Sequence, residues 1–178
     1  LSWATLSAAE KANFALANIN TMSQFCTVGA ECLDATAKAD AAGEKLFQYL
    51  LGDRTNEGVK EDPTKYFRVR TALLGDIVNA EAVFVRKSTF NYADTATETG
   101  YAAFKATNDS RAGSVYVAAN DGFMHAFDSD TGAERWAYAP TTVFPNMYKL
   151  ADKNYGNQHQ YFLDGTPRVQ DVFDGTSW

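Results

Sequence analysis

The chain has 178 residues, 46% hydrophobic and 13% aromatic, with a formal net charge of −6. That length suits one ordinary domain or part of a larger one, and the apolar content argues against wholesale disorder. The sixteen Lys and Arg residues are dispersed, so no basic stripe marks a nucleic-acid surface, and no apolar run is long enough to span a bilayer. The chain opens on Leu1 without a signal peptide, so it reads as an internal piece of a longer protein.

Ser7-Ala8-Ala9-Glu10 is a capping box: the Ser oxygen takes the N–H three residues on, and the Glu reaches back. The helix it starts is expected to run to about Phe25, with Phe14, Ala17, Thr21, Met22 and Phe25 as its apolar stripe. Cys26 and Cys32 flank the loop T-V-G-A-E and are the only cysteines. Zinc needs about four ligands, and His125 and His159 are far away in sequence, so the pair reads as a short structural disulfide or as two reduced thiols. A disulfide would imply an oxidising compartment. A second helix is expected over about Ala35–Leu51, with Gly52 as its C-terminal cap.

Asp53–Tyr66 is polar and reads as a loop. Asp53 and Arg54 there fit a local ion pair better than catalysis. Arg68–Leu74 is mixed, and Gly75-Asp76 marks a turn. Ile77–Val85 is a strand candidate, with Asn79 and Glu81 on one alternating face. Arg86–Gly113 is long for a connection between strands, and Tyr101–Ala106 within it suits a short helix.

Ser114–Trp136 organises the rest. Val115–Ala119 is rich in strand formers, Asn120-Asp121-Gly122 suits a tight turn, and Phe123–Phe127 is a second strand. Ser129–Gly132 is a second turn with Gly132 at a left-handed position, and Glu134–Tyr138 is a third strand. Val115, Val117 and Ala119 face one side and Tyr116 and Ala118 the other. A strand apolar on both faces needs cover on both, as a propeller blade has. Ala139–Tyr161 is a connection with one helical turn near Pro145–Leu150. Asp164-Gly165-Thr166-Pro167 is a turn, and Arg168–Phe173 a last strand, expected to pair with a segment absent here or with another molecule.

The fold expected is mainly β with N-terminal helices: a partial β-propeller preceded by two helices. Residues 1–66 form a helical lead-in. Residues 67–178 hold one four-stranded antiparallel blade, with strands near 77–85, 114–119, 123–128 and 134–138, and the first strand of the next blade near 168–173.

Ala126, Asp128, Thr131, Gly132 and Trp136 resemble the tryptophan-docking motif A-x-D-x-x-T-G-K-x-x-W of quinoprotein-type propellers, with Ala133 in place of the Lys. In that family the indole docks between blades and the Asp and Thr fix the turn. The segments L-L-G-D-R-T-N-E-G (50–58), F-R-V-R-T-A-L-L-G-D-I-V-N-A-E-A-V-F-V (67–85), V-Y-V-A-A-N-D-G-F-M-H-A-F-D (115–128), W-A-Y-A-P (136–140), V-F-P-N-M-Y (143–148) and Y-F-L-D-G-T-P (161–167) occur in order. Together they resemble the start of the C-terminal propeller of PilY-type proteins, the type IV pilus tip-associated adhesins and biogenesis factors.

The resemblance implies a non-enzymatic pilus tip protein, exported through the periplasm to the cell surface. Its implied roles are pilus biogenesis, the balance of extension and retraction, and adhesion. Minor pilins, host or abiotic surfaces and the rest of the same propeller are the partners it implies. Calcium binding in the family uses acidic loops. Asp128-Ser129-Asp130-Thr131-Gly132 fails as an EF-hand, with Gly132 at position five and Ala139 at position twelve, so calcium is expected elsewhere in the full protein and no cofactor in this chain. A quinone-cofactor dehydrogenase is one alternative. It needs a carboxylate base, a calcium site and a planar axial pocket, and neither repeated docking motifs nor vicinal cysteines are present. His125 reads as a packed strand residue and His159 as a solvated one. No G-x-S-x-G, Walker loop or metal-binding His pair occurs. The other alternative, an outer-membrane assembly scaffold, would lack the G-D-R-T-N-E-G and L-G-D-I-V-N segments. The long connections Arg86–Gly113 and Thr141–Tyr161 are candidate recognition loops or covers for the blade edges.

Overall fold

A computed structural model describes residues 1–178. The chain divides into two compact units. One comprises Leu1–Asp76, Asn120–Gly122 and Ala139–Phe162; the other comprises Ile77–Ala119, Phe123–Tyr138 and Leu163–Trp178.

In the first unit the capping box forms as the residues dictate. Ser7 Oγ accepts from Glu10 N at 3.3 Å, and Glu10 Oε2 accepts from Ser7 N at 2.7 Å. The helix it opens, α1 (Ala8–Ala12), is short and does not reach Phe25. Asn13 Nδ2 donates to the carbonyls of Ala9 and Glu10, and the chain turns extended at Ala15 before α2 (Leu16–Ile19) and a 3-10 turn at Ser23–Phe25. Asn competes for backbone partners in this way and disfavours helix interiors. The break also displaces the expected stripe. Phe14, Met22 and Phe25 are buried, Ala17 and Thr21 are exposed, and Ile19 takes a core position.

The second expected helix is likewise two, α3 (Ala35–Ala41) and α4 (Glu44–Leu50), separated at Gly43, where φ is +68°. Gly43 N donates to Phe14 O at 2.8 Å, so each break helps to satisfy the other's backbone. At the end of α4 a Schellman pair closes the helix: Gly52 N donates to Tyr49 O and Asp53 N to Gln48 O, both at 2.9 Å.

Phe14 is fully buried and anchors the core of this unit. Its ring lies 5.4 Å from that of Phe47 and 5.6 Å from that of Phe144, which opens α6 (Phe144–Met147). Residues 141–161 are therefore core-forming rather than a free recognition loop: Phe144, Met147, Tyr148, Leu150, Ala151 and Tyr155 are all buried. Gln24, buried among them, has its polar atoms satisfied. Its amide donates to Tyr66 O and Ala151 O, and its carbonyl accepts from Lys153 N. Cys26 and Cys32 are joined in a disulfide with Cα atoms 5.1 Å apart. Asp53–Tyr66, read as a loop, supplies the two-residue β1 (Glu57–Gly58), which pairs in parallel with β2 (Phe67–Arg68) at the start of the mixed segment Arg68–Leu74.

The second unit holds one antiparallel sheet in the order β3 (Val83–Val85), β4 (Ser114–Ala118), β5 (Met124–Asp128), β6 (Glu134–Tyr138). Two expected strands need correction. Ile77–Val85 is paired only at Val83–Val85. Upstream, Asn79 N donates to Asp164 Oδ1 at 2.8 Å and Glu81 N to Thr166 Oγ1 at 2.9 Å, so side chains of the Asp164–Pro167 turn take the N–H groups that a ladder would use. Asn79 and Glu81 thus bind a turn rather than forming one face of a strand. Arg168–Phe173 forms no strand, and Val169 and Val172 are exposed. The partner expected for it lies outside this chain, and apolar alternation alone supplies a face but no partner for the backbone. The segment is held instead by Asp171, whose carboxylate accepts from Ser88 Oγ and, at 2.8 Å, from Tyr101 Oη.

Tyr101 opens α5 (Tyr101–Thr107), the short helix expected inside the long connection. Around it Tyr92, Phe104, Phe173 and Trp178 form an aromatic cluster, with the Trp178 ring 4.7 Å from Tyr101 and stacked on Tyr92 at 5.0 Å.

Two stability measurements follow from the helical unit. Phe14→Ala should lower the unfolding free energy by about 3–5 kcal/mol in urea melts, because the aromatic cluster cannot collapse into the space. The double replacement Cys26→Ala/Cys32→Ala should cost about 2 kcal/mol, the loop-closure value for so short a loop; unchanged melts would show that the bridge constrains nothing.

Candidate functional site

The docking-motif residues lie on β5, the β5–β6 turn and β6. Asp128 ends β5, and its own carboxylate builds the turn. Oδ1 accepts from Asp130 N at 3.0 Å and Thr131 N at 2.9 Å. The backbone closes the loop, with Gly132 N donating to Asp128 O and Asp128 N to Ala133 O, each at 2.8 Å. Gly132 has φ +73°, a conformation that a side chain would strain. Thr131 Oγ1 accepts from Ala133 N at 3.3 Å. Each motif residue in the turn therefore has a local bond to make.

Arg135 is the residue that sequence reasoning missed. The β5–β6 register shifts between Ala126 and Phe127, pairing Ala126 with Trp136 and Phe127 with Glu134, so Arg135 is the extra residue of a bulge. Its Nη2 donates to Asp128 Oδ2 and its Nη1 to Ser114 Oγ, both at 2.6 Å. One guanidinium thereby joins the ends of β4, β5 and β6. These contacts, the Arg135 bond foremost, hold the Asp128 carboxyl well below the usual carboxylate range. The only sequence signal was an Arg seven residues beyond the Asp.

Ala126 is fully buried, while Trp136 is 44% exposed. Opposite Ala126 on its two sides are Tyr116 and Trp136, whose rings lie 5.7 Å apart on one face of the sheet. Tyr138 and Phe84, on the edge strands β6 and β3, are also exposed.

The other singled-out residues do not join a common site. Asp53 Oδ1 caps Thr55 N at 2.8 Å, and Arg54 pairs with Glu57 at 3.1 Å, both local contacts. His125 is buried against the Phe127 ring, with Nδ1 2.6 Å from Glu134 Oε1. His159 is exposed, with Nε2 3.0 Å from Asp76 Oδ2. Burial raises the Asp76 carboxyl, but hydrogen bonds from Asn120 and His159 outweigh it and the net shift is downward.

The acidic turn does not fit calcium. Asp128 is committed to Arg135 and two backbone N–H groups, and both oxygens of Asp130 accept from Arg86 Nη2 at 2.6 Å. No group of three His, Cys, Asp or Glu side chains converges anywhere in the chain.

Asp128→Asn tests the bonds that this carboxylate makes to the turn and to Arg135. Asp128 binds its proton more weakly when folded than when unfolded, so its contribution is present above the ordinary carboxylate range. It is lost as pH falls through the depressed folded value. The variant should be less stable than the parent at neutral pH, and the gap should close in strong acid; a pH-independent gap in urea melts would assign the effect to something other than this charge.

The PilY1 beta-propeller domain family matches residues 74–178. A type IV pilus biogenesis factor PilY1 homolog of Xylella fastidiosa (strain Temecula1) is 40% identical over 161 residues, 89% of this chain and 12% of that protein. The PilY1 factors of Pseudomonas aeruginosa strains PAK and UCBPP-PA14 are 38% and 36% identical over 149 residues, 82% of this chain and 12% of theirs. The chain thus spans about an eighth of the length of these relatives. No solved structure matches it. With the family's domain covering more than half of its residues, the chain belongs to the PilY1 family.

Proposed function

We propose that this chain is the start of the propeller of a type IV pilus biogenesis factor, and that the protein works by binding rather than by catalysis. One observation carries the reading: the residues that match the PilY1 propeller domain contain a four-stranded antiparallel sheet whose β5–β6 turn is bonded through Asp128, Thr131 and Gly132, the residues that resemble the docking motif. In this reading residues 1–66 lead into the propeller and β3–β6 form one blade. The half-exposed Trp136 supplies the flat surface that a neighbouring blade covers, since a large ring gains most when both faces are buried. The Cys26–Cys32 disulfide fits export through the periplasm to the cell surface.

At the pilus tip the protein would prime assembly, oppose retraction and contribute to adhesion. Its partners would be minor pilins or the tip complex, host or abiotic surfaces, and the remaining blades. Arg86–Gly113 is the connection with most exposed length available for recognition. Calcium, where the full protein binds it, would use residues outside this chain.

The test is genetic and uses the full-length protein in its own bacterium. Deletion should strip pili from the surface and abolish twitching, and removing the retraction motor should restore the pili. Trp136→Ala should reproduce part of the loss at normal protein level. Unaltered pilus number and twitching in the deletion strain would sink the reading.

A further inference from the structure

A cavity of about 330 Å³ lies in the helical unit beside β2. Leu50, Leu73, Leu74 and Leu150 supply apolar wall, and the charged residues that line it are Arg68, Arg70, Asp76 and Asp121. Three of these four are matched from within the unit. Arg70 pairs with Glu57 at 2.7 Å, and its terminal nitrogens donate to the carbonyls of Tyr49 and Asp53. Asp76 accepts from Asn120 and meets His159, each at 3.0 Å, and Asp121 accepts from Gly75 N at 2.8 Å.

Arg68 differs. Its Nε donates to Leu150 O at 2.5 Å, and its guanidinium lies over the Tyr155 ring, 4.6 Å from the centroid. These two contacts fix the plane of the group. No carboxylate pairs with it, and its two terminal nitrogens have no acceptor in the protein. A half-buried, oriented guanidinium with a free face is the arrangement that a carboxylate meets with two parallel hydrogen bonds.

We propose that this cavity binds a carboxylate with an aliphatic body, with the carboxylate on Arg68 and the body against Leu73, Leu74 and Leu150. That is the chemistry of a peptide C-terminus ending in a residue such as leucine. Asp76 and Asp121 also line the cavity and disfavour a second negative charge, so the site selects a monocarboxylate over a diacid. This inference rests on the cavity alone and stands whatever the pilus role.

The experiment is an amide NMR titration of the 178-residue chain with three probes: N-acetyl-leucine, its amide, and N-acetyl-glutamate α-amide, whose single carboxylate is on the side chain. N-acetyl-leucine should shift the Arg68, Leu73 and Leu74 amides saturably. The leucine amide should bind at least about tenfold more weakly, the loss expected for a charge-assisted hydrogen bond. Added salt should weaken the acid alone. Arg68→Gln should reproduce the loss. Arg68→Lys keeps the charge without the fork and should fall between; it decides the matter where the Gln variant melts early. Equal binding of acid and amide, no saturable shift, or parental affinity in both variants would overturn the proposal. Equal affinity for the glutamate probe would overturn the assignment to a chain terminus.

Discussion

The sheet depends on one carboxylate. Asp128 ends β5, caps the turn into β6 with two backbone N–H groups, and holds Arg135, which reaches back to Ser114 at the start of β4. Three strand ends meet at this group. The bulge follows from the same demand, because only an extra residue in β6 brings Arg135 level with both Asp128 and Ser114 while leaving Trp136 opposite Ala126. A neutral side chain at position 128 could keep the turn but not the reach across the sheet.

What could be read in the sequence was what is local. The Asp128–Gly132 turn, the Ser7 capping box and the Gly52 cap are each complete within a few residues, so residue identity nearly determines the geometry. Phe14 was recognised as apolar but placed in a continuous helix, because nothing near it announces that Gly43 will take its carbonyl. Ile77–Glu81 and Arg168–Phe173 carry the alternation of strands, yet their backbone groups meet side chains from distant parts of the chain or no ladder at all. Arg68 is one dispersed cation in the sequence. Its free face is visible only once Tyr155 and Leu150 are seen to orient it.

The two units differ in how their apolar surface is used. The helical unit buries its large rings internally, around Phe14, Phe47 and Phe144. The sheet leaves Phe84, Trp136 and Tyr138 uncovered on or beside its edge strands. Isolated exposed apolar residues are ordinary, but three on the flanks of one small sheet, one of them a tryptophan, fit a module shaped to be covered. The family's propeller provides the natural context for such a module.

The helical unit is assembled from pieces of chain that precede and follow most of the sheet. Ser23 is bound to Asp152, and Phe14 meets Phe144, across some 130 positions of sequence. Contacts of that span form late, because the intervening chain must first be confined. During synthesis the helices of residues 8–50 therefore emerge without their core and remain incomplete until residues 141–155 have followed. Ordering the intervening residues first would shorten the effective loop between the two halves of that core and so lower the entropy cost of joining them.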